Sequence, residues 1–377
     1  MTLTVGVIGG GQLARMMIPA AVNLGIQLRV LAENAGESAD LATTMLGSHL
    51  NEADVLRFAE GADVITFDHE HVPQEILHTL VERGVAVRPG PDALLYAQDK
   101  LLMRERLGGI GLPVPNWARV TTAVELQAFI DDNGGRAVVK TARGGYDGHG
   151  VRVVTSAEDA ADWFTGDALL VEQLVEFRRE LAQSVARRPS GQIAAWTVVE
   201  SVQRDGVCAE VVAPAPDSTG RLADEAREIA VAVAENLGVT GVLAVELFET
   251  TDGRLLINEL AMRPHNTGHW SIDGSVTSQF EQHLRAVLDL PLGDTACREP
   301  WSVMVNILGG PGLDRPDQQI SLADRYPVAM ADQPGVKIHN YGKTPRPGRK
   351  VGHVTAGGDE LDDVLQRARV TAGHFEG

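Results

Sequence analysis

Two apolar runs, 242–247 and 255–260, are separated by the turn Thr251-Asp252-Gly253, and each run carries one carboxylate. Runs of this kind joined by an Asp-Gly turn specify a β-hairpin. If Glu246 lies opposite Glu259, both acids stand on one face, because side chains directly across an antiparallel pair project together. Two apposed carboxylates repel each other and call for a cation; their hard oxygens suit Mg²⁺, with Mn²⁺ as the alternative. The competing reading is a pair of solvent-facing acids on an amphipathic sheet. The segment Arg263-Pro264-His265-Asn266, which follows directly, favours the metal reading. It concentrates donors where an anionic co-substrate or a developing acyl phosphate needs neutralising.

A second constraint lies upstream. Lys140 ends a strand over 137–140, and Gly144, Gly145, Gly148 and Gly150 crowd the loop before a strand over 151–154. Glycine loses more entropy than any other residue on ordering, so such a cluster signals close backbone approach to a ligand. A loop this bare can fold over a polyphosphate, with Lys140 as a fixed positive charge. The strand end Val171-Glu172-Gln173-Leu174-Val175, with Glu180 beyond it, can offer backbone groups to a purine and a carboxylate to ribose hydroxyls. Lys343, Arg346, Arg349 and Lys350 form a basic loop in a chain of formal charge -18, a place where a phosphate would be drawn.

The amino-terminal ninety or so residues alternate apolar runs (5–8, 28–32, 64–67 and 85–87) with helical patterns, the rhythm of a parallel βαβ sheet. Gly9-Gly10-Gly11-Gln12-Leu13-Ala14 follows the leading strand and opens a helix, as phosphate-binding turns do. With Glu33 about twenty residues on, the turn also admits a nicotinamide-dinucleotide reading. That reading leaves Glu246 and Glu259 without a use. A catalytically silent nucleotide-binding protein is a further alternative. The acidic balance argues against nucleic acid and anionic membranes as partners. Cys208 and Cys297 lack the spacing of a disulfide framework or a zinc site, so a reducing cytoplasm is expected. No apolar stretch is long enough to span a bilayer. We expect an α/β and α+β chain with borders at 1–97, 98–298 and 299–377.

Taken together, Gly9 to Leu13, Gly144-Gly145-Tyr146-Asp147-Gly148, Ile257-Asn258-Glu259-Leu260-Ala261, His265-Asn266-Thr267-Gly268-His269-Trp270 and the basic loop from Tyr341 resemble the 5-(carboxyamino)imidazole ribonucleotide synthetases over nearly the whole chain. These belong to the ATP-grasp class. The resemblance implies an amino-terminal parallel βαβ domain, a two-lobed ATP-grasp domain and a small carboxy-terminal domain. It also implies a homodimer that uses ATP to join bicarbonate to 5-aminoimidazole ribonucleotide in purine biosynthesis. Carried over by position, Lys100, Lys140, Gly145, Tyr146, Asp147, Gly148, His149, Gly150, Val151, Glu172, Gln173, Leu174, Val175, Glu180, Asn258 and Glu259 resemble the ATP contacts. Glu246 and Glu259 correspond to magnesium ligands. Arg263, His265 and Asn266 are implied to receive bicarbonate, and Gly11, Gln12, Glu70, Tyr146, Asp147, Lys343, Arg346 and Arg349 to surround the ribonucleotide. Lys140, Asp147, Arg263, His265, Asn266 and Lys343 are the residues expected to carry the chemistry, Asp147 by orienting the amine or taking its proton. In this chain Gln203 stands where the family usually has a histidine in a nucleotide contact, and histidines flank the acid in Asp68-His69-Glu70-His71. The nearest rival reading is another ATP-grasp ligase, such as a formate-dependent glycinamide ribonucleotide transformylase, which lacks the His-Asn-x-Gly-His-Trp run.

Overall fold

In the computed structural model, residues 2–144, 150–204, 206–309 and 321–376 are described. β1 (Thr4–Ile8), β2 (Gln27–Ala32), β3 (Thr43–Leu46) and β4 (Val64–Phe67) form a parallel sheet in the order β3-β2-β1-β4. Every residue of β1 and β4 is buried, as expected where helices cover both faces of a parallel sheet. The run at 85–87 contributes only a bridge between Ile65 and Val87, so it is no strand of its own. β3 went unmarked in the sequence because this edge strand, Thr-Thr-Met-Leu, alternates intermediate and exposed positions and has no apolar run.

β5 (Trp117–Val120), β6 (Ala137–Thr141), β7 (Val151–Val154) and β8 (Leu169–Gln173) make a small antiparallel sheet in the order β5-β8-β6-β7. The remaining strands are β9 (Phe177–Arg187), β10 (Ile193–Ala195), β11 (Val199–Arg204), β12 (Val207–Ala213), β13 (Gly241–Thr250), β14 (Leu255–Ala261), β15 (Trp301–Leu308), β16 (Lys337–Asn340) and β17 (Lys350–Gly358). They form one sheet in the order β14-β13-β9-β11-β12-β15-β17-β16, with β10 on β9. The carboxy-terminal segment is therefore not a separate sheet. β15 pairs antiparallel with β12, so the two regions share a continuous backbone ladder.

The helix Arg221–Asn236 lays Ala226, Ile229, Ala230 and Val233 on Leu181, Val185, Leu243 and Val245 of β9 and β13. Their spacing is that of a helical stripe, and each fully buried aliphatic side chain stabilises the fold by about 1.5–3 kcal/mol. A polar contact joins the amino-terminal sheet to this body. The Val242 N–H donates to Nδ1 of His283 at 3.1 Å, which leaves the hydrogen on Nε2, 2.8 Å from the Thr66 hydroxyl. Burial lowers the His283 pKa to about 3, so the ring stays neutral. Among the described residues, no helix is long and apolar enough to cross a membrane.

Candidate active site

Glu246 and Glu259 are direct cross-strand partners, the register in which both acids share a face. The ladder slips immediately afterwards: Leu247 pairs with Ile257, which leaves Asn258 as the extra residue of a bulge. A bulge breaks the two-residue alternation and re-aims side chains. Here it lets consecutive residues serve one site, since Asn258 Oδ1 accepts from Lys140 Nζ at 3.1 Å while Glu259 faces Glu246. Burial drives the Glu246 pKa up to about 8, and the nearby charges of Glu259 and Glu180 add to the effect. Its side chain keeps 23% of its exposure. An acid in this setting ionises readily only beside a positive charge. Among the described residues there is no group of three or more His, Cys, Asp or Glu that could hold a metal ion.

A different carboxylate is already neutralised. Glu172 on β8 receives Lys140 Nζ at 2.6 Å and the Arg104 guanidinium, and Arg104 also donates to the Asn258 carbonyl at 2.6 Å. Burial penalises the Glu172 charge, yet the two cations outweigh that and hold its carboxyl below the usual range. Burial likewise depresses the Lys140 ammonium, with Glu172 opposing the shift. Sequence reasoning placed Glu172 among the nucleotide contacts, within a strand end offering backbone groups to a purine; its side chain is aimed at Lys140 and Arg104. It missed Arg104, whose signal was a charged residue on the buried stripe of Leu101, Met103 and Leu107.

The other expected nucleotide residues scatter around this centre. Gln203 hydrogen-bonds the Glu180 carboxyl, which burial pushes above its ordinary pKa. Gln173 turns its Oε1 away, toward the Asn116 N–H at 3.1 Å. Leu174 and Val175 continue past the end of β8, and Gly150 and Val151 follow the glycine loop into β7. Gly145, Tyr146, Asp147, Gly148 and His149 lie outside the described residues. Lys100, Glu70, Glu259 and Arg263 line one side of a cleft of about 420 Å³.

Arg263 donates to Glu70 at 2.7 Å, so β14 and the amino-terminal sheet meet at the cleft. His265 is kept neutral by burial and by the cations Arg263 and Lys350, with Nδ1 engaged by Thr267 at 2.9 Å and Nε2 3.5 Å from Glu246. Asn266 is 8% exposed; its amide lies against the Cys208 thiol, but among the described residues neither polar atom completes a hydrogen bond. Such an amide is poised for a polar ligand.

A second cleft, of about 360 Å³, opens between the first glycine turn and the basic loop, lined by Gly10, Gly11, Ser38, Lys343 and Arg349. Lys343 Nζ donates to Gln12 Oε1 at 2.5 Å across 331 residues of chain. Asp68 Oδ1 accepts the Ala14 N–H at 2.8 Å and fixes the helix start beside the turn, a role the sequence did not suggest. Arg346 is exposed and off this lining. Glu33, the candidate ribose acid of a dinucleotide site, is instead bonded to His49 Nδ1 at 2.7 Å.

Family models match three stretches: a ribonucleotide synthetase preATP-grasp domain over 1–98, an ATP-grasp domain over 105–280 and a phosphoribosylaminoimidazole carboxylase C-terminal domain over 302–367. The N5-carboxyaminoimidazole ribonucleotide synthase of Mycobacterium tuberculosis is 51% identical over 375 residues, covering 98% of this chain and 86% of that protein. The Bacillus subtilis enzyme of the same name is 34% identical over 371 residues, covering 96% and 93%. Among solved structures, an ADP complex of an N5-carboxyaminoimidazole ribonucleotide synthetase superposes with a TM-score of 0.89 at 32% identity, covering 100% of this chain and 99% of that one. The Aspergillus clavatus synthase in complex with ADP and 5-aminoimidazole ribonucleotide gives 0.88 at 30% identity, covering 99% and 98%. With the paired acids, the lysine-carboxylate centre and the twin clefts in place, this chain belongs to the N5-carboxyaminoimidazole ribonucleotide synthases of the ATP-grasp class.

Proposed function

We propose that the chain carboxylates the 5-amino group of 5-aminoimidazole ribonucleotide with bicarbonate, converting ATP to ADP and phosphate. The observation that carries this reading is the bulged hairpin, which sets Glu246 against Glu259 and brings Asn258 to Lys140. Glu246 and Glu259 would hold Mg²⁺, or Mn²⁺ in its place, and the burial that raises the Glu246 pKa, with Glu259 adding to it, fits that donor set. The bound ion supplies neutralisation of phosphate charge.

Lys140 sits where it offsets charge on the transferring phosphoryl group. A bicarbonate oxygen, oriented by Arg263, His265 and Asn266, attacks the γ-phosphorus as the bond to ADP breaks, and the bicarbonate hydroxyl proton is released. The amine nitrogen then attacks the carboxyl carbon of carboxyphosphate, or of CO₂ released from it; either way the C–O bond to phosphate breaks, and the N–H proton ends on the phosphate. Carboxyphosphate hydrolyses readily, so water must be excluded, a task for the glycine loop. Asp147 orients the amine. The ribonucleotide phosphate occupies the cleft of Gly11, Gln12, Lys343 and Arg349, with Arg346 at its margin. Domain borders at 97/98 and 298/299, action in the cytoplasm and a homodimer complete the reading.

The test is ADP release from the purified protein with ribonucleotide and bicarbonate supplied together and singly. Strict dependence on both is expected. Release that responds to formate but not bicarbonate would move the assignment to the transformylase branch of the class.

A further inference from the structure

Between the two clefts stands a row of histidines with no part in the chemistry described so far. Glu33 holds His49 at 2.7 Å, the His49 and His69 rings meet edge to face at 4.6 Å, and His69 stacks on His71 at 5.3 Å. Gly9 leaves room for this row. Its φ of +108° lies in the region favoured by glycine, and a Cβ there would come within 2.8 Å of the His69 ring and 3.0 Å of its Nε2. The imidazole therefore lies across the turn that leads into the second cleft, while the same residue lines the first.

The tautomer of His69 is fixed from its own backbone. The His71 N–H donates to His69 Nδ1 at 3.2 Å, so Nδ1 is an acceptor and the hydrogen resides on Nε2. Burial lowers the His69 pKa to about 3, with His49 and His71 contributing, which keeps the ring neutral. Nε2–H makes no hydrogen bond to another described residue. A neutral, orientation-locked donor at the junction of a phosphate cleft and a reaction cleft suits a neutral heterocycle presenting a lone pair. An aminoimidazole bearing a ribosyl group on one ring nitrogen offers one such in-plane acceptor, its unsubstituted ring nitrogen.

We propose that His69 is a specificity-determining residue that donates its Nε2–H to that ring nitrogen, with His49 and His71 holding the ring in plane. The inference rests on the ribonucleotide reading above. It assigns no proton transfer to His69, since both nitrogens are committed.

The test uses His69→Phe, which keeps a stacking ring without a donor, and His69→Gln, which restores an N–H. With ATP and bicarbonate saturating, His69→Phe should raise KM for the ribonucleotide about tenfold, and His69→Gln should recover most of that loss. KM for ATP should not move in either variant. A ribonucleotide in which CH replaces the ring nitrogen should bind the wild-type protein more weakly than the natural base, and His69→Phe should no longer distinguish them. A wild-type KM in His69→Phe, or undiminished discrimination by that variant, overturns the proposal. If the wild-type protein shows no ribonucleotide-dependent ADP release, the broader reading fails instead, so the two failures are distinguishable.

Discussion

The central domain holds two carboxylate sites of opposite character, one buried and one partly open to solvent. Glu172 is saturated, with Arg104 and Lys140 on either side and its carboxyl held below the ordinary range. Glu246 faces other acids and is driven up to about 8. One set of charges is complete within the protein, and the other has acids facing acids. A carboxylate whose partners are all protein groups contributes to architecture and to positioning Lys140, whereas one left against its own kind marks where a cation belongs.

Replacing each acid by its amide should therefore have different consequences. Glu172→Gln leaves the fully buried Arg104 without its counterion, and we expect a loss of about 3–5 kcal/mol in urea unfolding. A loss below about 1 kcal/mol would show that the pair is not a structural unit. With a pKa of about 8, Glu246 is largely protonated at neutral pH in the ligand-free protein, so Glu246→Gln swaps one neutral group for another and that state should be no less stable than wild type. Its activity should nevertheless fall by about two to three powers of ten, and the thermal shift with magnesium and ATP should disappear. A retained shift would remove Glu246 from the metal site.

Titration sharpens the contrast by excluding both carboxylates from early acid loss. Glu172 has a depressed folded pKa, so its contribution is present above the unfolded value of 4.5 and fades only as pH falls below it. His283 behaves differently: its folded pKa of about 3 lies below the unfolded 6.5, so the unfolded chain takes up the proton first. The stabilisation it brings is complete above pH 6.5 and is lost as pH falls. In His283→Gln the slope of stability against pH between 6.5 and 5 should shrink by one proton, about 1.4 kcal/mol per pH unit. An unchanged slope would place the early acid sensitivity elsewhere.

Much of this site was legible in the sequence because strand alternation and turn chemistry are local. The hairpin, the acid on each of its strands, the strand-borne Lys140 and the first glycine turn are all placed by patterns a few residues long, whereas the meeting of that turn with Lys343 spans 331 residues. What escaped depended on tertiary packing. The bulge at Asn258 is invisible to a period-two count, which would put Asn258 on the face opposite Glu259. Arg104 shows only as a charge on an apolar stripe, and its meaning depends on Glu172, 68 residues away. Nor does local patterning reveal that the carboxy-terminal strands extend the central sheet, since the β12–β15 pairing joins segments about ninety residues apart.

That shared ladder has a practical consequence for chimeras. The final part of the chain cannot be exchanged between relatives like a cartridge, because its edge is a seam in a fabric that also carries the acid pair. A donor segment with a different β15 register would shift the lysine of the basic loop against the glycine turn it must meet. Successful hybrids should be cut in the stretch before β5, where the small sheet begins, so that the whole nine-strand weave passes intact from a single parent.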